Sequence, residues 1–252
     1  MYYLFAFIFG SLIGSFLGVV SERLVQGRSI FWGRSICDKC GKTLKWYELI
    51  PIVSFLVLKG KCSKCRKKIG LKVLFIEVLT GLLTMSALLY FYTHNLTVVD
   101  GIIFLLIIYT FIVIFFIDLK FGIIPDILTL IILVLVSSRI YFISGPVVPN
   151  LISALGALLF FLSLFLITKG KGMGFGDVKL SFVLGLLLSY PLIVVSLYLS
   201  FLTGAAVSII LVILKKKSFR GGIIPFGPFL VFGTVITLFF DKWLVDIFQH
   251  FF

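Results

Sequence analysis

Long runs of apolar residues, separated by short polar or glycine-containing segments, dominate this chain of 252 residues. An uncharged run of about 18 residues is long enough to cross roughly 30 Å of hydrocarbon as a helix. We interpret the apolar runs as spans at residues 2–20, 73–93, 98–117, 123–143, 150–168, 178–189, 192–213 and 223–240. The pattern therefore predicts an all-α polytopic membrane protein with about eight transmembrane helices.

The apolar stretch from Leu180 to Leu214 is the one segment whose division is ambiguous. As a single helix it would be about 50 Å long at roughly 1.5 Å per residue, which is too long for one span. The pair Tyr190-Pro191 offers a break near its middle, because proline interrupts a helix. We therefore predict two spans here, of which the first is unusually short.

The formal net charge of +13 raises the question of a nucleic-acid partner. Basic residues also mark the cytoplasmic loops of membrane proteins, which is a simpler explanation. With the N-terminus outside, 21 of the 23 lysines and arginines lie on the inner side, and only Arg139 and Lys242 fall elsewhere. The inner loops are then residues 21–72, 118–122, 169–177 and 214–222, with Lys179 at the inner end of its helix. We expect a protein of the inner or plasma membrane that contacts the lipid bilayer and binds no nucleic acid.

The first span is expected to be retained rather than cleaved as a signal peptide. Residues 1–20 lack a basic start and have no obvious small-residue cleavage site before Glu22. Residues 21–72 form the one sizeable inner loop, and residues 73–252 hold the remaining spans. The predicted organisation is a first transmembrane helix, a cytoplasmic cysteine loop and a transmembrane domain.

All four cysteines lie in this loop, in two Cys-x-x-Cys pairs. They are Cys37, Cys40, Cys62 and Cys65. Such pairs can converge on one tetrahedral metal, although the 21 residues between them slightly exceed the usual zinc-ribbon spacing. Two disulfides or reduced structural thiols are the alternatives, and a cytoplasmic loop disfavours disulfides. We expect zinc.

Charged side chains within spans are costly, so each carboxylate there needs an explanation. The candidates are Glu77, Asp118, Asp126 and Asp177. The predicted topology puts Asp118 and Asp177 at the same cytoplasmic membrane boundary, although they are distant in sequence. Two carboxylates that share one proton can activate water on a peptide carbonyl. The alternative is that these acids cap helices or pair with Lys120 and Lys179.

Three glycines lead into Asp177. Gly172, Gly174 and Gly176 disfavour a helix and allow another backbone to approach closely. Asp177 is then expected in the first turn of the next helix, as a cap or first-turn acid. An extended segment beside a catalytic acid is also suited to receive an extended substrate peptide.

Motifs along nearly the whole chain resemble those of type 4 prepilin peptidases. They are GSLIGSFLGVVSERL, the cysteine loop with KWYELIPIVSFLVLKGKCSKC, IDLKFGIIPDILT, GMGFGDVKL and IPFGPFL, in that order. The resemblance implies a polytopic aspartic peptidase that removes the short basic leader from prepilins and pseudopilins on the cytoplasmic side. For members with the cysteine loop, it also implies N-methylation of the new amino terminus by S-adenosylmethionine.

The same resemblance implies roles for individual residues. Asp118 and Asp177 match the two catalytic aspartates, and Gly174 and Gly176 complete the Gly-x-Gly-Asp motif. Asp126 and Glu77 match recurring acids that support these motifs, and for Glu77 we expect a hydrogen bond inside the bundle. The four cysteines match the tetracysteine loop of the family.

Two other interpretations stay open. An intramembrane protease of the presenilin or signal-peptide-peptidase type shares Gly-x-Gly-Asp, but the cysteine loop argues against it. A non-catalytic transporter or scaffold of a pilus or competence system is the alternative from another class. Transporters tend to have two related halves with broken helices, and the sequence shows no such halves.

Overall fold

The computed structural model describes the chain in five stretches, which are residues 1–30, 32–37, 39–143, 147–214 and 224–251. Two of the predicted loops, 144–149 and 214–222, lie partly outside these stretches. The regular secondary structure of the described stretches is helical, and β pairing there is limited to two isolated bridges. The predicted all-α class is confirmed.

The chain divides into two compact units, Met1–Thr97 and Val98–Phe252. The helices of the first unit are α1 (Tyr2–Val25), α2 (Val53–Val57) and α3 (Leu71–Thr93), with a 3₁₀ turn at Trp46–Leu49. This unit joins α3 to the first span and the cysteine loop. The boundary that we predict at residue 72, between the cysteine loop and the transmembrane domain, stays a prediction.

Small residues let α1 and α3 approach closely. A Cβ atom added at Gly14 would lie 2.8 Å from Thr80 Oγ1 and 3.0 Å from the carbonyl oxygen of Ile76. A Cβ added at Gly81 would lie 2.6 Å from Ser11 Oγ. In lipid there is little hydrophobic drive between helices, so close van der Waals packing across small residues holds such a pair together.

The second unit contains seven helices in its described residues. They are α4 (Val98–Phe121), α5 (Asp126–Ile143), α6 (Val147–Ile167), α7 (Phe175–Leu188), α8 (Leu192–Ile213), α9 (Gly227–Phe239) and α10 (Asp241–Phe251). Helix α4 supplies many of the fully buried side chains, including Phe104, Phe111 and Ile117, and it packs against α5 and α9. Helix α7 packs against α5, α6 and α9. The helices that carry Asp118 and Asp177 therefore share α5 and α9 as neighbours.

Five of the described helices are long and apolar enough to cross a membrane, and they are α1, α3, α4, α6 and α8. The other three predicted spans correspond to α5, α7 and α9, with 18, 14 and 13 residues. The predicted break at Tyr190-Pro191 falls between α7 and α8. A multi-pass membrane protein is confirmed, and the count of eight spans stays a prediction.

A buried ion pair joins α4 to α5. Arg139 Nε lies 2.8 Å from Asp100 Oδ1, and the two side chains are only 15 % and 3 % exposed. The guanidinium also lies 5.4 Å from the centre of the Phe104 ring. Because a charge in an apolar bundle needs a partner, this pair accounts for Arg139, one of the two basic residues outside the predicted inner loops.

Glycine packing between α6 and α7 leads to a stability prediction. A Cβ at Gly185 would lie 2.6 Å from both Ala154 Cα and the Ser153 carbonyl oxygen, whereas a Cβ at Gly156 would meet no atom within 4 Å. We expect Gly185→Ala to destabilise the protein by about 1–3 kcal/mol through overpacking. Gly156→Ala should be neutral or stabilising, because alanine is the better helix former. Thermal unfolding in detergent measures both, and equal midpoints for the two variants would contradict the packing.

Candidate functional site

Asp118 lies in the last turn of α4. The N–H of Gly122 donates to the Asp118 carbonyl oxygen over 2.8 Å, and Gly122 has a φ of +67°, which ends the helix. The Asp118 side chain is buried, and no donor among the described residues hydrogen-bonds its Oδ2 atom. Buried carboxylate oxygens without partners are rare and costly. Asp118 thus offers an acceptor that the protein itself leaves unused.

Asp177 lies in the first turn of α7, as the sequence predicts, although the helix begins three residues earlier than the predicted residue 178. Gly174 precedes the helix in an extended conformation, with φ −78° and ψ 152°. Its N–H donates to Asp177 Oδ2 over 3.2 Å. The buried carboxylate therefore caps its own helix, where the positive end of the helix dipole favours negative charge.

The structure brings Asp118 and Asp177 close enough for their carboxylates to interact electrostatically. Ile124 packs against Gly176, which precedes Asp177, and against Gly227, which contacts Asp118. A Cβ at Gly176 would lie 3.0 Å from Ile124 Cβ, and one at Gly227 would lie 3.1 Å from Ile124 Cδ1. The predicted pair therefore forms one buried site, which is built from α4, α7 and the start of α9.

Gly227 is a site residue that the sequence analysis did not single out, although it lies in the quoted motif IPFGPFL. It is the first residue of α9, and a Cβ there would lie 2.5 Å from Asp118 Oδ2. Its backbone N–H also interacts with the Asp118 carboxylate. Only a glycine lets the N-terminus of α9 approach this carboxylate so closely.

Asp126 has a different environment. It begins α5 and is 75 % exposed, and its Oδ1 atom lies 2.7 Å from Lys179 Nζ. Asp126 therefore differs from the two buried carboxylates both in its exposure and in having a lysine partner. It also gives Lys179 a partner other than Asp118 or Asp177, which weakens the interpretation that the two buried acids exist to pair with lysines.

Glu77 lies in α3 of the first unit and is buried. Its Oε2 atom accepts a hydrogen bond of 2.7 Å from the N–H of Ile52. Ile52 has a φ of +62°, which is strained for a β-branched residue. The carboxylate thus stabilises the turn that precedes α2, and in this contact it forms a hydrogen bond of the kind expected from the sequence.

The four cysteine sulfur atoms converge in the first unit. All lie within 4.8 Å of one another, and the distances Cys37 Sγ–Cys65 Sγ and Cys40 Sγ–Cys62 Sγ are both 4.0 Å. The thiols are free, so the disulfide alternative is not what this structure shows. Four thiolates about 2.3 Å from a tetrahedral ion would be about 3.8 Å apart. The sulfur atoms therefore fit one metal ion with little movement.

The two cysteine pairs have the same backbone design. In the first, the N–H of Cys37 donates to the Lys42 carbonyl and the N–H of Gly41 donates to the Cys37 carbonyl, both over 2.9 Å. The second repeats this pattern from Cys62, whose N–H donates to the Lys67 carbonyl over 2.9 Å. Each turn holds its two sulfur atoms on one side, as a metal-binding knuckle requires.

Backbone donors also make one of the thiols acidic. The N–H groups of Cys65 and, second, of Lys64 lower the pKa of Cys62 to about 6. The thiolate is the form of cysteine that binds metals. The turn therefore prepares Cys62 as a ligand at neutral pH.

Glu48 joins the two knuckles, which sequence reasoning did not predict. Its buried carboxylate accepts hydrogen bonds from Lys42 Nζ at 2.8 Å, from the Lys45 N–H at 2.8 Å and from the Ser63 hydroxyl. The Lys42 bond, then the bonds from Lys45 and Ser63, lower the pKa of Glu48 to about 2. Glu48 in turn raises the pKa of Lys42. The network ties the first knuckle, the 3₁₀ turn and the second knuckle together.

Comparison with known proteins divides the chain into two matched regions. Residues 8–91 match the model of the bacterial peptidase A24 N-terminal domain, and residues 104–209 match that of the type IV leader peptidase family. The first region contains the cysteine centre, and the second contains Asp118 and Asp177. No solved structure is found to match the chain.

Curated relatives match over most of the chain. A protein of Aeromonas salmonicida is 31 % identical, and the match covers 94 % of this chain and 90 % of the relative. One of Legionella pneumophila is 34 % identical over 86 % of this chain and 76 % of the relative. One of Pseudomonas aeruginosa is 31 % identical, and the match covers 92 % of this chain and 88 % of the relative. All three carry the name prepilin leader peptidase/N-methyltransferase.

Proposed function

Because the chain belongs to the type IV leader peptidase family, we propose that it cleaves the basic leader of prepilins or pseudopilins with Asp118 and Asp177 as its catalytic pair. The family and the relatives' names support leader cleavage together with N-methylation of the new amino terminus. An intramembrane protease of another type is not favoured, because the bacterial N-terminal domain with its cysteine loop is present. A non-catalytic transporter or scaffold is likewise not favoured.

The observation that carries this proposal is the buried approach of the two carboxylates, one of which has an unpartnered oxygen. Two neighbouring carboxylates resist ionising together, so they hold one proton between them and titrate as a unit. The ionised member takes a proton from water, and the water oxygen bonds to the peptide carbonyl carbon. The protonated member gives its proton to the carbonyl oxygen. The member that took the proton from water then gives it to the leaving nitrogen as the carbon–nitrogen bond breaks. The other member recovers a proton from a hydroxyl of the tetrahedral intermediate, which restores the shared proton.

The segment before Asp177 is suited to hold the substrate chain. Gly174 has an extended backbone, and a Cβ there would come no nearer than 3.8 Å to Asp177 Oδ2. Extended backbone next to the acids offers N–H and C=O groups to a peptide, as in strand addition. The leader's scissile bond would then lie against the carboxylate pair.

The orientation of the site is part of the proposal. The excess of lysine and arginine in the predicted inner loops supports a position of Asp118, Asp177 and the cysteine loop on the cytoplasmic side of the inner or plasma membrane. Prepilin leaders are basic and are made in the cytoplasm, so they meet the site from that side.

Zinc is the metal that we propose for the four cysteines. A tetrahedral set of four sulfur ligands favours zinc among the common divalent ions and leaves no position open for substrate. Its role is to hold the two knuckles together. For N-methylation we propose S-adenosylmethionine as the methyl donor, on the strength of the relatives' names, and we assign no residues to it.

Replacing the acids tests the catalytic pair. Asp118→Asn and Asp177→Asn should each lower leader cleavage by more than about a hundredfold, since each removes a group that transfers protons. Asp126→Asn is the matched control and should keep clear activity, because an exposed ion pair contributes only about 0–1 kcal/mol. Cleavage of a synthetic prepilin by purified protein is the measurement. An Asp177→Asn enzyme that cuts at the normal rate while remaining folded would exclude this mechanism.

Metal analysis tests the cysteine centre. Purified wild-type protein should contain about one zinc ion per chain, and Cys37→Ser or Cys62→Ser should lose it. Lys39→Ala, in the same turn as Cys37 but without a sulfur ligand, is the control and should keep it. Loss of the metal should directly lower the thermal stability of the first unit. It should affect peptide hydrolysis less directly, because the acids lie in the second unit. Wild-type protein without zinc, with its thiols cross-linked instead, would contradict the proposal.

A further inference from the structure

An open cavity of about 610 Å³ lies at the C-terminal end of α1. Its walls are the last turns of α1 and residues 28–29 and 32–36, and its lining includes Val19, Glu22, Trp32 and Arg34. The volume falls within the range of about 300–1,000 Å³ that is typical of small-ligand sites. The proposed peptidase function and the cysteine centre make no use of this cavity.

Arg23 gives the cavity its shape. From the last turn of α1, its guanidinium donates to the carbonyl oxygens of Ser29 and Trp32 at 3.1 Å and of Gly33 at 3.3 Å. The Trp32 N–H also donates to the Ser29 hydroxyl over 3.2 Å. The loop is thereby wrapped around a fixed cation, and backbone carbonyls accept hydrogen bonds from both terminal nitrogens of Arg23. This arginine builds the wall and leaves ligand binding to others.

Arg28 and Arg34 supply the free donors. Both side chains are exposed and line the cavity. Within the described stretches, neither guanidinium forms a side-chain hydrogen bond or an ion pair. Glu22 is the one acidic residue among the lining side chains, against three arginines. The cavity is therefore electropositive, and the two exposed guanidinium groups of Arg28 and Arg34 match the geometry of a phosphate group.

The predicted first span, residues 2–20, ends beside this cavity. Val19 belongs to the apolar part of the span, and Arg23 follows one turn later. Trp32 is 84 % exposed at the rim, and tryptophan is enriched at the level of lipid headgroups. A ligand here would have its charged part beside the arginines and its apolar part beside α1.

We propose that this cavity binds the phosphodiester headgroup of an anionic phospholipid, with Arg28 and Arg34 as the phosphate-binding side chains and Val19 beside the start of an acyl chain. Basic pockets next to spans on the cytoplasmic side bind such headgroups. S-adenosylmethionine fits the same cavity less well, because its sulfonium and ammonium groups would face an excess of arginine. The proposal does not depend on the peptidase activity.

Native mass spectrometry of the purified full-length protein tests this site. With phosphatidylglycerol added to the detergent, the wild-type protein should retain one tightly bound lipid, and phosphatidylcholine should not replace it. Arg28→Gln with Arg34→Gln should weaken phosphatidylglycerol binding at least about tenfold, as expected for the loss of charge-assisted bonds. Lys67→Gln with Lys68→Gln removes the same charge from exposed positions outside the cavity and should bind as the wild type does.

Three outcomes would overturn the proposal. One is equal phosphatidylglycerol binding by the arginine variant and the wild type, with circular dichroism showing both folded. Another is displacement of the lipid by S-adenosylmethionine, which would make the cavity the methyl-donor site. The third is displacement by millimolar inorganic phosphate, which would show that the arginines select a free anion rather than a lipid. If the double glutamine variant fails to fold, Arg28→Lys with Arg34→Lys takes its place in the test. This variant keeps the charge and should retain part of the phosphatidylglycerol binding.

Discussion

The close approach of the α9 N-terminus to Asp118 is the contact on which the candidate active site depends. A carboxylate inside an apolar helical bundle loses its hydration, and protein dipoles must offset that loss. Gly227 brings its backbone against the Asp118 carboxylate because it has no Cβ to hold the helix away. Asp177 has an equivalent support, since its carboxylate accepts the N–H of Gly174 at the start of α7. Both acids thus lie against helix N-termini, and within the described stretches neither forms an ion pair with lysine or arginine.

This arrangement has a chemical consequence. A basic partner would fix a carboxylate in its ionised form, whereas backbone dipoles leave the two acids free to share a proton. Lys179, two residues after Asp177, is paired with the exposed Asp126. Asp126 therefore lies in an exposed ion pair, whereas Asp177 lies in the buried site. This difference in environment explains how Asp126 is suited to an exposed ion pair and Asp177 to proton transfer in the buried site.

The sequence predicted the features that depend on local pattern. Apolar runs indicated the helices, and the glycines before Asp177 indicated a first-turn acid, because both signals lie within a few residues of the feature they specify. The start of α7 was placed three residues too late, since the extended Gly174 acts as the cap and Phe175 and Gly176 already belong to the helix. The role of Gly227 depends on an α4–α9 contact across more than a hundred residues, and no local signal reports such a contact. Glu48 is similar, because its partners come from both knuckles of the cysteine loop.

The measurement that tests the central claim most directly is a pair of glycine substitutions in the second unit. Gly227→Ala places a Cβ 2.5 Å from Asp118 Oδ2. Gly204→Ala, at a buried position of α8, brings its Cβ no closer than 3.4 Å to Phe226 and Phe229. If the approach of α9 holds Asp118 in its catalytic position, Gly227→Ala should slow prepilin cleavage by at least about tenfold, as small misplacements of catalytic groups do. Gly204→Ala should cleave at close to the wild-type rate, and both variants should remain folded in detergent. A Gly227→Ala enzyme with normal cleavage would contradict the account.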